Sequence, residues 1–236
     1  MQRFEEIWGF VQGAGLGFTF GIADLFGITP PARGAWNSTN AESLLQYASD
    51  HGIQIDVLEL GNEPTSCFSY TYSSELATRL SQLNDILTRV YGPRQDHSSH
   101  PSVATEAGGK MPRPMIAVPD IDPKYGSFIA ELLNASSPLS AIDAITLHHY
   151  ATESNLVTNL REPLILDNIV EPWGYVLGNT SILQPEILNR EGLWLGETGP
   201  AGSSGRENLT DAFLSSLWYA DSLGLTAALG GRRHHR

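Results

Sequence analysis

The chain has one cysteine, Cys67, so no disulfide can form within it. That thiol is either a buried group or a bridge to another chain. Basic residues are scarce: 14 lysines and arginines stand against 26 acids, a formal net charge of −12. Nucleic-acid binding needs a basic face, so that class is excluded. A broad cationic groove for a highly sulfated polymer is excluded on the same ground, although a local basic pocket survives such an average. No apolar run approaches the ~20 residues of a membrane span, so any membrane association would be peripheral. No secretory leader is expected, because Met1-Gln2-Arg3-Phe4-Glu5-Glu6 is polar and carries two acids where an apolar run would lie. Neither a GxGxxG nor a P-loop is present, so a nucleotide cofactor has no support.

What is present suits one domain. The 236 residues, 41% of them hydrophobic, can bury a sizeable core. Phe4, Ile7, Trp8 and Val11 keep helical spacing over residues 2–12, and Leu16–Ile22 reads as a strand. Pro30, Pro31 and Gly34 mark a loop, and residues 40–51 a helix capped by Asn40. Strand Ile55–Leu60 follows, then a helix over 73–91 striped by Leu76, Leu80, Leu83, Leu87 and Val90. After a long polar loop over 92–113 come strand Met115–Asp120, ended by Pro119, and a helix over 124–134. Strand Ala144–Tyr150, a helical piece around Asn168–Leu177, strand Leu193–Gly196 and a helix over 207–223 complete the series. Regular alternation of this kind predicts an α/β fold with a parallel sheet and crossover helices. The fold unit is expected over residues 1–229, with 230–236 a tail outside the core.

Chemistry gathers at the strand ends. Val57-Leu58-Glu59-Leu60 leads into Gly61-Asn62-Glu63-Pro64, and Leu193-Trp194-Leu195 leads into Gly196-Glu197-Thr198-Gly199-Pro200. In each an apolar run delivers a glutamate to the end of a strand. In a (β/α)8 barrel, strand C-termini carry the catalytic groups, and two facing carboxylates are the equipment of a glycosidase. Glu63 suits the proton donor, because the Asn62 amide can hold a sugar hydroxyl beside it; Glu197 suits the nucleophile. His148, His149 and Tyr150 end a third strand. The plainer reading of each glutamate is a helix cap or a partner for lysine. A zinc reading would add Glu63 or Glu197 to the two histidines; the favoured reading has no metal, one ring in the barrel wall and the other bonded to a carboxylate or to substrate. His97 and His100 read as solvated, and Trp194 as core. Four Asn-x-Ser/Thr triplets, at Asn37, Asn134, Asn179 and Asn208, lean towards secreted relatives.

At these residues the sequence resembles glycoside hydrolase family 79, the heparanase and β-glucuronidase family of the clan-A barrels. Trp36-Asn37-Ser38-Thr39-Asn40-Ala41, Glu59-Leu60-Gly61-Asn62-Glu63-Pro64, Ile145-Thr146-Leu147-His148-His149-Tyr150 and Leu193-Trp194-Leu195-Gly196-Glu197-Thr198 carry the likeness, in the family's order. A weaker match runs from Asp211-Ala212-Phe213 to Leu223-Gly224-Leu225, and together the pieces cover most of residues 10–229. The resemblance implies a partial (β/α)8 TIM barrel with about five of eight strands and no C-terminal β-sandwich. It implies retaining hydrolysis with Glu63 as proton donor and Glu197 as nucleophile, and Asn62, His148, Tyr150, Asp120 and Gly202 as substrate-binding residues. The partner would be a glycosaminoglycan or another uronic-acid glycan, with no metal and no cofactor, and the full-length family would work in the lysosome or outside the cell. Departures accompany the likeness. Ala23 stands where relatives tend to have asparagine, the glycine-rich loop after the nucleophile reads Ala201-Gly202-Ser203-Ser204-Gly205, and basic segments for a sulfated chain are not evident. Two open sheet edges are expected to favour association and to leave this chain with little or no activity. Two further readings are a non-catalytic glycan-binding or dominant-negative isoform, and an unrelated metal-dependent hydrolase.

A carboxylic acid in a dry pocket beside a second carboxylate has its proton held more tightly. The rate of hydrolysis is therefore expected to follow an acidic, bell-shaped pH profile; a profile flat through neutral pH would contradict the pairing of the two glutamates.

Overall fold

The computed structural model describes residues 1–24, 36–65, 71–94, 111–135, 141–152, 160 and 162–235. Cys67, the loop marked by Pro30, Pro31 and Gly34, and His97 and His100 lie outside the described residues. Among the described residues the elements run in this order: α1 (Gln2–Gly13), β1 (Thr19–Ile22), α2 (Thr39–Asp50), β2 (Val57–Leu60), α3 (Ser73–Tyr91), β3 (Met115–Ile121), a 3-10 turn (Pro123–Tyr125), α4 (Gly126–Ala135), β4 (Ala144–Tyr150), α5 (Pro163–Leu166), α6 (Val170–Leu183), α7 (Pro185–Asn189), β5 (Gly192–Gly199), α8 (Leu214–Ala228) and β6 (Arg233–His234). The strands form one sheet in chain order, every neighbour parallel. It is a curled half-barrel, the partial barrel expected.

The sheet has two faces, and the period of two along each strand separates them. Leu58, Ile116, Val118, Ile145, Leu147, Leu193 and Leu195 point towards the helices and join the main core. The stripe of α3 completes that core: Leu76, Leu80, Leu83, Leu87 and Val90 are all buried. Val57, Ala117, Ala144 and Trp194 form a separate small cluster on the opposite face, which fills the inside of the barrel. Trp194 is therefore core, as read, and its Nε1–H donates to the Glu191 carbonyl at 2.9 Å.

Four boundaries differ from the sequence reading. Pro119 does not end β3; it sits inside the strand, where the pairing register slips between Pro119 and Ile121 and no ladder donor is demanded of it. β5 runs three residues past Gly196 and carries Glu197 within the sheet. The last helix starts at Leu214 rather than 207, and Phe213 and Leu217 are exposed while Trp218 is buried; apolar residues surround this helix on several sides, so spacing alone does not select its inner face. Asn40 lies inside α2 rather than capping it, and it is Asn37 Oδ1 that accepts from the Thr39 N–H. Within the tail, Arg233 and His234 pair with Trp194 and Leu195 as the sixth strand. The Arg233 guanidinium lies 4.1 Å from the centre of the Trp194 ring, a cation–π contact that fixes this short strand.

The end of β2 is held from beneath by a buried ion pair. Arg79 on α3 donates to Asp24 at 2.7 Å and to Thr71 at 3.1 Å. Asp24 lies against Gly61, where a Cβ would stand 3.0 Å from its Oδ1, and Gly61 itself has φ +81. Both facts require glycine at that turn. Removing one partner of a buried pair leaves the other charge dry and unpaired. Asp24→Asn is expected to cost about 3–5 kcal/mol in urea unfolding, whereas Arg89→Gln, which breaks the exposed Arg89–Glu42 pair, should cost at most about 1 kcal/mol.

Candidate active site

The sheet brings Glu63, His148, Tyr150, Glu197 and Asp120 together at the C-terminal ends of β2 to β5. Glu63 follows β2 through the turn Gly61-Asn62-Glu63, and its own φ of 45 is left-handed. Its N–H donates to the Asp120 carbonyl at 3.0 Å, so the β3 end holds the backbone of the β2 end. Asn62 is exposed at the rim beside it.

Glu197 reaches the site because β5 carries a bulge. Leu147 pairs with Leu195 but His148 pairs with Glu197, so Gly196 is an extra residue. Strict alternation would turn Glu197 to the helix side with Leu193 and Leu195; the bulge turns it inward beside His148. β3 has a counterpart. Pro119 pairs with Thr146 and Ile121 with Leu147, which leaves Asp120 as the extra residue, with φ 55. Its N–H donates to Thr146 Oγ1 at 3.0 Å. Two bulges, one on each side of β4, thus swing an acid towards the same ring.

That ring is His148, which is 5% exposed. Its Nδ1 lies 3.3 Å from Glu63 Oε1 and 3.7 Å from Glu197 Oε2, and its Nε2 lies 3.7 Å from Asp120 Oδ1. Burial alone would push this imidazole towards its neutral form; the negative charges of Asp120, Glu197 and Glu63 outweigh it and lift the pKa to about 9. The Tyr150 hydroxyl donates to Glu197 Oε1 at 2.5 Å. Burial, then that bond, raises its pKa, so the phenol keeps its proton. Gly199 makes room for the Tyr150 ring, since a Cβ there would stand 2.8 Å from a ring carbon.

His149 faces away from these groups. Its Nε2–H donates to Asn168 Oδ1 at 2.8 Å, Asn168 in turn donates to the Ala151 carbonyl at 2.6 Å, and burial holds the ring below its ordinary pKa. Gly202 is buried to one side, its N–H donating to the Thr152 carbonyl at 2.8 Å. The Trp36–Ala41 motif lines a separate cavity of about 500 Å³ beside β1, together with Phe20 and Asp24.

Glu59 is a further acid at the site, to which the sequence pattern assigns no role. It projects inward from β2 two residues after Val57, and it is half-buried. Burial first, then repulsion from Asp120 and Glu197, raise its pKa to about 7, with His148 opposing the rise. An acid in the middle of an apolar strand was the available signal, because strand alternation places Val57 and Glu59 on one face. Glu63, His148 and Glu197 each offer one atom within 4.8 Å of the others, a spacing that would admit a cation. A cation there would first have to displace the His148 proton, which three carboxylates hold. Among the described residues, no helix is long and apolar enough to cross a membrane.

The sign of the pH dependence follows from the two raised groups. Glu59 binds a proton in the folded chain from its ordinary 4.5 up to about 7, and His148 from 6.5 up to about 9, while the unfolded chain has released both. Stability from each is full below the lower value and is lost as pH rises to the higher one. Melting temperature is therefore expected to fall across that whole span, and Glu59→Gln should flatten only its lower half. A melt unchanged between the two ends would contradict this account. Gly199→Ala should displace Tyr150 and weaken its bond to Glu197, checked by the shift of the tyrosine ultraviolet absorbance with pH.

Comparison with known proteins agrees with this geometry. The family model described as glycosyl hydrolase family 79, N-terminal domain, matches residues 1–224. The chain is 30% identical to heparanase-like protein 1 of Arabidopsis thaliana over 96% of its own length and 40% of that protein's. It is 29% identical to mouse (Mus musculus) heparanase over 96% of this chain and 38% of that one. To the baicalin-beta-D-glucuronidase of Scutellaria baicalensis it is 23% identical over 97% and 44%. It thus spans about 40% of the length of the curated relatives it matches. Among solved structures, an endo-1,4-beta-D-mannanase from Thermotoga petrophila superposes with a TM-score of 0.54 at 12% identity, over 98% of this chain and 66% of that one. An exo-beta-1,3-glucanase from Blastomyces gilchristii gives the same score and identity, over 94% and 73%. These structures share the fold.

Proposed function

The chain belongs to glycosyl hydrolase family 79, and we propose that it carries the catalytic face of a retaining β-glycosidase that acts on uronic-acid glycans of the heparan-sulfate type. The observation that carries this reading is the closeness of the two glutamates, one oxygen of each lying within 4.8 Å. Retaining hydrolysis places its carboxyl groups ~5–5.5 Å apart, and inverting hydrolysis ~6.5–9.5 Å, to leave room for a water. Glu197 attacks the anomeric carbon through Oε2, because Oε1 is engaged by the Tyr150 hydroxyl. As the glycosidic bond breaks, Glu63 gives its proton to the departing oxygen. A covalent glycosyl–Glu197 ester results. Glu63, now ionised, takes a proton from a water that attacks the same carbon and releases Glu197. His148 lies against both carboxylates throughout. No step calls for a metal.

Heparanase and glucuronidase names among the relatives favour a glycan substrate with a uronic acid. The loss of stability with rising pH suits an acidic setting, and we place the work of the full-length protein in the lysosome or outside the cell. One further observation favours a second reading. Among the described residues β1 and β6 are the edges of the sheet, so this chain by itself would be slow in turnover and could act instead as a glycan-binding isoform.

Incubation with an activated 2-fluoro-glucuronide, followed by mass measurement and peptide mapping, is expected to place one sugar on Glu197. Glu197→Gln should take up none, and Glu63→Gln should accumulate adduct from a substrate whose leaving group needs no proton. Labelling by the 2-fluoro-glucoside in place of the glucuronide would move the substrate class to neutral sugars. Glycan binding retained by both wild type and Glu197→Gln, with no adduct on either, would favour the second reading.

A further inference from the structure

Asp120, which the family resemblance implies as substrate-binding, lies against His148. It is 2% exposed, and its Oδ1 has no hydrogen-bond partner among the described residues. The nearest cationic group is His148, whose Nε2 stands 3.7 Å away. The opposite nitrogen of that ring faces both glutamates. Asp120 therefore lies behind the ring and the glutamates in front of it. We infer that Asp120 is a positioning residue: its buried carboxylate holds the His148 ring, as a cation, with its Nδ1 turned to both reacting carboxyl groups. The inference rests on reading Glu63 and Glu197 as acid and nucleophile.

Two features of the fold put Asp120 there. The β3 bulge gives it a left-handed backbone, φ 55, which a residue other than glycine adopts only at a cost. Its N–H is bonded to Thr146 Oγ1, itself fully buried, and its carbonyl accepts the Glu63 N–H. One residue thus sets the backbone of the acid and the ring that faces both acid and nucleophile. A buried carboxylate with an open oxygen is costly unless a positive group faces it, and His148 supplies that charge. The other ionisable groups facing the ring are Glu59 from β2, Glu63 from the turn after it, Tyr150 on the same strand and Glu197 from β5; beyond β6, His235 also feels the Asp120 charge.

The test is nitrogen NMR of the whole chain labelled with 15N-histidine. Solid-state spinning spectra read each ring's protonation whether the chain is monomeric or associated, and His148→Gln identifies the signal. In the unmodified chain both His148 nitrogens should carry protons through neutral pH, with the midpoint near about 9. In Asp120→Asn the midpoint should fall to the ordinary histidine range, about 6.5, with the histidines other than His235 unmoved; Asp120→Glu should hold it high. An unmoved midpoint in Asp120→Asn overturns the inference. So does an ordinary midpoint in the unmodified chain, which decides the matter even where Asp120→Asn does not fold. Labelling of Glu197 is a separate readout. Labelling with an ordinary His148 would leave the glycosidase reading standing and remove the part given to Asp120, and the reverse pattern would do the opposite.

Discussion

A positive charge on His148 must be kept nearly dry between carboxylates, and the rest of the site depends on it. Without it, Asp120 and Glu197, joined by Glu63 once it has given up its proton, would crowd negative charge into a half-closed mouth, where Coulomb repulsion is weakly screened. With it, each acid has a partner on one ring. Burial works against the imidazolium, and three carboxylates overcome burial. Glu59, the fourth acid, gains little from that ring and holds its proton up to about 7 instead. The site therefore balances its charge in two ways, by a cation and by a neutralised acid.

The scaffold serves this arrangement through irregularities. A parallel sheet sends alternate residues to opposite faces, so consecutive residues of one strand cannot both line the mouth. Bulges at Asp120 and Gly196 break that rule on both neighbours of β4, and each brings an acid to His148. Glycines stand where side chains would collide: Gly61 over Asp24, and Gly199 under the Tyr150 ring. Behind them, the dry Arg79–Asp24 pair fixes the turn that bears Glu63. Precision in the mouth is thus obtained from strained backbone and missing side chains, supported by a regular core of leucines on the helix side.

The family relationship and the likeness of fold rest on different observations. The likeness to heparanases and glucuronidases lies in the sequence, and the likeness to mannanase and glucanase barrels, at 12% identity, lies in the fold alone. A fold retained over such divergence has a physical cause. A barrel directs every strand terminus at one mouth, so substituents there can change without disturbing the core.

Much of this was legible in the amino-acid order. The alternation of elements, the five main strands, the buried stripe of α3 and the residues Glu63, His148, Tyr150 and Glu197 could all be read there, because hydrophobic period and turn residues are local properties of the chain. The resemblance carried by Gly61-Asn62-Glu63-Pro64 and Leu195-Gly196-Glu197-Thr198 is the source of the roles proposed for them. Other facts were decided only in three dimensions. Pro119 lies inside a strand, Arg233 and His234 join the sheet, Asp120 is buried behind a ring, and Glu59 shares the site. Each depends on which strands lie side by side and in what register. Pairing register is a long-range property that a one-residue bulge can alter, and a bulge leaves no mark in composition or periodicity.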